Sequence, residues 1–132
     1  PIYTTGVSFG ALLSANIFFK RPDVFSGTLP LSGSYDLKDY TKGYFDDNVY
    51  FNSPMDYMPH NTDHNQLEHM RNSKIIIATG QGQWEKASRS VDFSRVLHSK
   101  SIPHHLDLWG HDIPHDWTSW RQMYPYFLES FC

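Results

Sequence analysis

Cysteine occurs once in these 132 residues, as Cys132, so no internal disulfide and no cysteine-built metal or redox motif can form. Basic runs are also missing. The longest is the pair Lys20-Arg21, and 11 Lys+Arg against 14 Asp+Glu leave a formal net charge of −3. Without a basic stripe there is no electrostatic footprint for a phosphate backbone, and nucleic acid is not an expected partner. Nor is a membrane, because no apolar run approaches the roughly 18 residues that a span requires. Internal repeats and low-complexity segments are absent. The length admits one domain, and 39% hydrophobic with 16% aromatic residues supply a core, which argues against disorder. The chain opens Pro1-Ile2-Tyr3-Thr4-Thr5 without an initiator methionine and runs directly into a β-prone segment, as though residues preceded it.

The hydrophobic pattern alternates between strand and helix signals. Ile2–Thr5 reads as a short strand. Phe9–Arg21 carries Leu12, Leu13, Ile17 and Phe18 at helical spacing and ends before Pro22. Phe25–Leu31 reads as a second strand, closed by Ser32-Gly33-Ser34. From about 35 to 73 the text turns polar and aromatic, which predicts an excursion with one short helix near Gln66–Arg71. Lys74-Ile75-Ile76-Ile77-Ala78-Thr79 is a continuous β-branched run of the kind found in a sheet covered on both faces, and it predicts a central strand. A helix over Ser88–Lys100, a strand over His104–Trp109 and a closing helix over Asp116–Phe131 follow. This order implies an α/β fold with a mainly parallel sheet flanked by helices.

Gly6-Val7-Ser8-Phe9-Gly10 fits G-x-S-x-G between a strand end and a helix start, the context that gives the pattern its meaning. Such a turn pushes the serine into the open, and glycines flank it because side chains there would collide with neighbouring elements. The N–H of Phe9 at the helix start is a candidate oxyanion donor. A serine hydroxyl needs a base, and the base needs a carboxylate to set its tautomer. In open α/β folds such groups collect at the carboxyl ends of strands. The loop after the last strand holds His111, Asp112, His115 and Asp116; the loop after the Lys74–Thr79 strand holds Glu85.

Together with Arg21-Pro22-Asp23-Val24-Phe25, Leu31-Ser32-Gly33-Ser34-Tyr35-Asp36, Gly80-Gln81-Gly82-Gln83-Trp84-Glu85 and His115-Asp116-Trp117 to Trp120-Arg121, the G-x-S-x-G segment resembles the esterase branch of the α/β-hydrolases. That branch holds esterase D-like, feruloyl-esterase-like and mycolyltransferase-like enzymes. The resemblance runs nearly end to end and implies Ser8 as nucleophile, Glu85 as acid and His115 as base, with no cofactor and a small-molecule ester or thioester as substrate. It departs from the family at the front, where several strands precede the nucleophile in a complete α/β-hydrolase. The chain therefore resembles a C-terminal half, with the N-terminal strands absent, and its sheet edge needs those strands or a second chain to cover it.

The residues themselves leave rival assignments open. His111 competes with His115 as base, and Asp112 and Asp36 compete with Glu85 as acid. Among eight histidines, the run His104, His105, His111, Asp112 and His115 invites a zinc site, yet His104 and His105 are strand neighbours facing opposite sides, and metal is not expected. His60, His64 and His69 read as surface residues. Tyr35, Trp84 and Trp109 are candidate substrate-binding residues on an aromatic wall, whereas Trp117 and Trp120 read as core residues under the last helix. A fragment or binding module that keeps the fold without an assembled site is the alternative to an enzyme.

Overall fold

A computed structural model describes the whole chain, residues 1–132. Four strands, β1 (Tyr3–Val7), β2 (Gly27–Leu31), β3 (Lys74–Thr79) and β4 (His105–Leu108), form one sheet in that order. All pairs are parallel, with Thr4 opposite Thr28, Leu31 opposite Ala78 and Ile77 opposite Leu106. Their carboxyl ends consequently open on one side of the molecule. Crossovers carry α1 (Phe9–Lys20) between β1 and β2, and α5 (Ala87–Ser99) between β3 and β4. Between β2 and β3 lie α2 (Asp47–Phe51), α3 (Pro54–Tyr57) and α4 (His64–Arg71), and α6 (Trp117–Leu128) follows β4.

β3 is central, and its alternation shows why the run is apolar throughout. Ile75 and Ile77 join Phe18, Phe19, Met70 and Phe93 in one core, so α1, α4 and α5 cover that face. Ile76 and Ala78 join Leu29, Leu31, Trp120 and Phe127 in a second core beneath α6 on the other face. A strand buried on both sides has no position for a polar outward residue.

Several boundaries differ from the sequence expectation. β1 extends through Gly6 and Val7, which still pair with Pro30 and Leu31, so the glycine does not end the strand. β2 starts at Gly27 because Phe25 completes the turn after α1, its N–H bonded to the Arg21 carbonyl at 3.1 Å. The excursion holds three helices rather than one, with the carboxylates of Asp46 and Asp63 accepting the first-turn N–H groups of Val49 and Gln66. α4 is the short helix expected near Gln66–Arg71; α2 and α3, of five and four residues, are too short for apolar periodicity to register, and the Asp46 cap and Pro54 start them. Trp120 is buried under α6 as expected. Trp117 is not, standing 53% exposed on the first turn.

Ile77 is fully enclosed, so Ile77→Ala should lower unfolding stability by about 2–5 kcal/mol through lost transfer energy and the cavity left behind. The check is urea denaturation with an unchanged slope. Val24→Ala, at an exposed position, should shift the midpoint by less than about 0.5 kcal/mol.

Candidate active site

Ser8 alone connects β1 to α1, with φ 57° and ψ −124°. A non-glycine residue in this region costs on the order of 1–3 kcal/mol and persists only where its surroundings over-determine it. Here the Ser8 N–H donates to the Leu31 carbonyl at 3.0 Å, and the Ser8 carbonyl accepts the Ala11 N–H at 3.0 Å. Gly6 lets the helix close down on the strand, since a β-carbon there would lie 2.2 Å from the Gly10 carbonyl oxygen. Gly10 itself has open space around it. The expectation of crowding on both sides of the serine therefore holds for Gly6 only. Phe9 opens α1, and its N–H is among the first-turn groups without an intrahelical acceptor.

The side chain of Ser8 meets the loop after β4. Its Oγ lies 2.9 Å from His115 Nε2, and His115 Nδ1 lies 2.5 Å from Glu85 Oε1. An ionised carboxylate only accepts, so in the neutral imidazole the proton resides on Nδ1 and Nε2 is free to accept from the serine hydroxyl. The order of atoms is thus donor to acceptor from Ser8 to His115 to Glu85. Backbone bonds hold the two contributing loops together: His115 N–H to the Gln83 carbonyl at 2.9 Å and Gly82 N–H to the Ile113 carbonyl at 2.8 Å.

The Glu85 side chain is only 1% exposed, and a buried carboxylate needs its lone pairs satisfied. Oε2 accepts the Gly80 N–H at 2.8 Å and the Ser32 hydroxyl at 2.6 Å. The Ser32 Oγ in turn accepts from Trp120 Nε1 at 3.0 Å, and the Trp120 ring stands edge-on to the His115 ring with centroids 5.0 Å apart. Gly80 has to be glycine, because a β-carbon would come within 2.3 Å of the Ile113 carbonyl oxygen. Sequence reasoning missed Ser32 and gave Trp120 a packing role alone. The available signal was position: Ser32 lies at the carboxyl end of β2, where the other site residues collect.

The rival residues lie elsewhere. His111 and Asp112 are exposed, and the imidazole that bonds Ser8 and the carboxylate that meets it are those of His115 and Glu85. Asp36 accepts the Lys38 N–H at 2.9 Å and pairs with the Lys38 ammonium. His104 bonds Ser94 and the Ile102 carbonyl, and exposed His105 lies near Asp107, so the histidine run does not converge on one point.

Two substrate-wall expectations are corrected. Tyr35 is fully buried, stacked on Phe93 at 4.6 Å, and burial pushes its phenol pKa upward, so it belongs to the core behind the cleft. Trp109 packs against Tyr126 and Phe127 under α6, because its strand-end side chain faces the second core. Trp84 does line the cleft, a space of about 180 Å³ bounded also by Ser8, His115, Tyr40, Lys86 and Arg89.

No family model and no curated protein matches the sequence. Solved structures do match its shape. A ferulic acid esterase superposes with a TM-score of 0.71 at 18% identity, over 92% of this chain and 47% of its own. An S-formylglutathione hydrolase from Agrobacterium tumefaciens gives 0.71 at 14% identity, over 95% and 46%. A fluorophosphonate-binding serine hydrolase of Staphylococcus aureus gives 0.63 at 18%, over 92% and 50%. The chain shares part of the α/β-hydrolase fold of these structures, a parallel sheet flanked by helices. It spans about half the length of these esterase and serine-hydrolase structures.

Ser32→Ala would leave Trp120 Nε1 without its acceptor and remove one donor from Glu85. It should reduce stability by about 1–3 kcal/mol in urea unfolding. Ser99→Ala, at an exposed serine whose hydroxyl bonds only the Val96 carbonyl, should cost less.

Proposed function

We propose that this chain carries the nucleophile, base and acid of a serine esterase that cleaves small carboxylic esters or thioesters. The observation that supports it above all is the continuous hydrogen-bonded chain from Ser8 through His115 to a buried Glu85. In this reading His115 Nε2 takes the Ser8 proton as Oγ attacks the ester carbonyl. The oxyanion that forms is met by the Phe9 N–H at the positive end of α1. His115 then gives its proton to the departing alcohol or thiol as that bond breaks, leaving an acyl group on Ser8. Water, or an acceptor alcohol in an acyl transfer, repeats the sequence and releases the acid or the new ester. Glu85 stays ionised throughout, holding the imidazole in the tautomer that accepts from serine and stabilising its charged form. No cofactor enters any step.

Further protein belongs over one side of the sheet in this reading. β1 pairs only with β2 and presents an open edge, beside which Ile2, Phe9, Leu13 and Ile17 are exposed. Phe9, Leu13 and Ile17 recur every fourth residue and form one stripe along α1. An open apolar edge of this kind is covered in a working enzyme, by preceding strands or by a second chain, and the coverage of about half of each esterase structure agrees with that.

In the full-length protein, Ser8→Ala and His115→Ala should each lower kcat for 4-nitrophenyl acetate by on the order of 10⁴-fold, with little change in KM. Their double variant should be no worse than either, since both disable one step. Glu85→Gln should cost less than either. A fluorophosphonate should add its mass to the wild type and not to folded Ser8→Ala; labelling or turnover that survives in that variant overturns the reading.

A further inference from the structure

Trp84 occupies a conformation that its residue type disfavours. Its φ is 67°, a left-handed value at which glycine would sit without strain and a bulky aromatic residue is a genuine outlier. The strain has a visible source. Glu85 N–H bonds the Gly82 carbonyl at 3.1 Å while Gln83 receives His115 N–H, so the turn that sends Glu85 inward turns its neighbour outward. This explains the backbone but not the side chain. The indole is 77% exposed and makes no ring contact or hydrogen bond, so core packing accounts for none of it. What it does is wall the cleft that holds Ser8 and His115.

Charge on the same cleft is unbalanced. Arg89 is matched by Asp39, with Nε 2.8 Å from Oδ2 and a second nitrogen 3.1 Å from Oδ1, and Ser34 bonds the same carboxylate. Glu85 faces inward and is enclosed by donors. Lys86 lines the cleft with no acid within ion-pair distance, leaving a surplus positive charge beside the serine of a chain whose net charge is −3.

Resting on the esterase reading of this cleft, we propose that Trp84 and Lys86 form the subsite for the leaving alcohol, and that the preferred ester carries there a ring with an anionic substituent. Position supports the leaving-group side. His115 has to deliver a proton to the departing oxygen, and Trp84 and Lys86 flank Glu85 on the loop bonded to the His115 loop. Size supports it too: about 180 Å³ around Ser8 suits a short acyl group, with the ring lying out at the rim against the indole. Lys86 attracts the anion, and the indole face covers the ring.

The probes are phenyl acetate and 4-acetoxybenzoate, whose hydrolysis yields acetate with phenol or with 4-hydroxybenzoate. In the full-length protein, kcat/KM should favour 4-acetoxybenzoate, and the preference should shrink in 0.5 M salt. Lys86→Gln should reduce the ratio of the two constants by about fivefold and Lys86→Glu by more, the size expected of a solvent-accessible ion pair. Lys74→Gln, at the opposite end of β3, should leave the ratio alone. Trp84→Gly should raise KM for both aryl esters while raising Tm by about 2–8 °C, a combination that a purely structural tryptophan would not produce. A ratio insensitive to Lys86, or an unchanged KM in Trp84→Gly, overturns the subsite while leaving the esterase reading in place. Should neither ester be cleaved and Ser8 resist the fluorophosphonate, the esterase reading fails, and quenching of tryptophan fluorescence by 4-hydroxybenzoate decides the subsite. Saturable quenching lost in Trp84→Gly and weakened in Lys86→Glu sustains it as a binding site; absence of quenching overturns it.

Discussion

Glu85 carries a carboxylate at 1% exposure, and the need to satisfy that buried charge ties together more of the molecule than any other group. Its partners come from four places: Ser32 beyond β2, Gly80 beyond β3, His115 beyond β4 and, through Ser32, Trp120 on α6. Apart from Gly80, five residues away in the same loop, these partners reach it only where three neighbouring strands are in register and α6 is docked. Assembly of the sheet and assembly of the site are therefore one event, and a shift in either strand pairing or helix docking would leave a charge without its donors.

A second constraint is the turn at Ser8. The backbone there is held in a disfavoured conformation by bonds to Leu31 and Ala11, and by the close approach of α1 to Gly6. Trp84 and Ser32 also have positive φ, and both border the same cleft. Strain of this kind is sustained by the packing of the cores on either face of β3, which is where the favourable burial lies. The stable part of the molecule and the strained part are thus separated: the middle of the sheet is regular and apolar, and its carboxyl-end rim is irregular and polar.

The two sides of the sheet are unequal in another way. β3 is enclosed along its whole length after Lys74, while β1 has an open edge and α1 shows Phe9, Leu13 and Ile17 to solvent. The same helix buries Ala15, Phe18 and Phe19 against the sheet. α1 is apolar nearly all round, a pattern that belongs to a helix packed on more than one side.

Much of this was legible in the linear text. The β-branched run Lys74–Thr79 could only be a strand with both faces covered, and alternation with helical segments required parallel neighbours. Gly6-Val7-Ser8-Phe9-Gly10 announced a strand-to-helix turn, and the resemblance of the ordered motifs to α/β-hydrolase esterases implied Ser8, Glu85 and His115 as candidates. Spacing could not separate His115 from His111 or Glu85 from Asp112, because loop residues a few positions apart differ in direction only once the loop is folded. Two backbone bonds, His115 N–H to the Gln83 carbonyl and Gly82 N–H to the Ile113 carbonyl, join the loops, and the Glu85 carboxylate lies against His115. Tyr35 and Trp109 were misread for the same reason. Aromatic residues at strand ends can face a cleft or a core, and register with the helices above decides between them. The link from Trp120 through Ser32 to Glu85 joins residues 88 and 53 positions apart, a distance at which local pattern carries no information and only the packing of α6 on the sheet brings the atoms together.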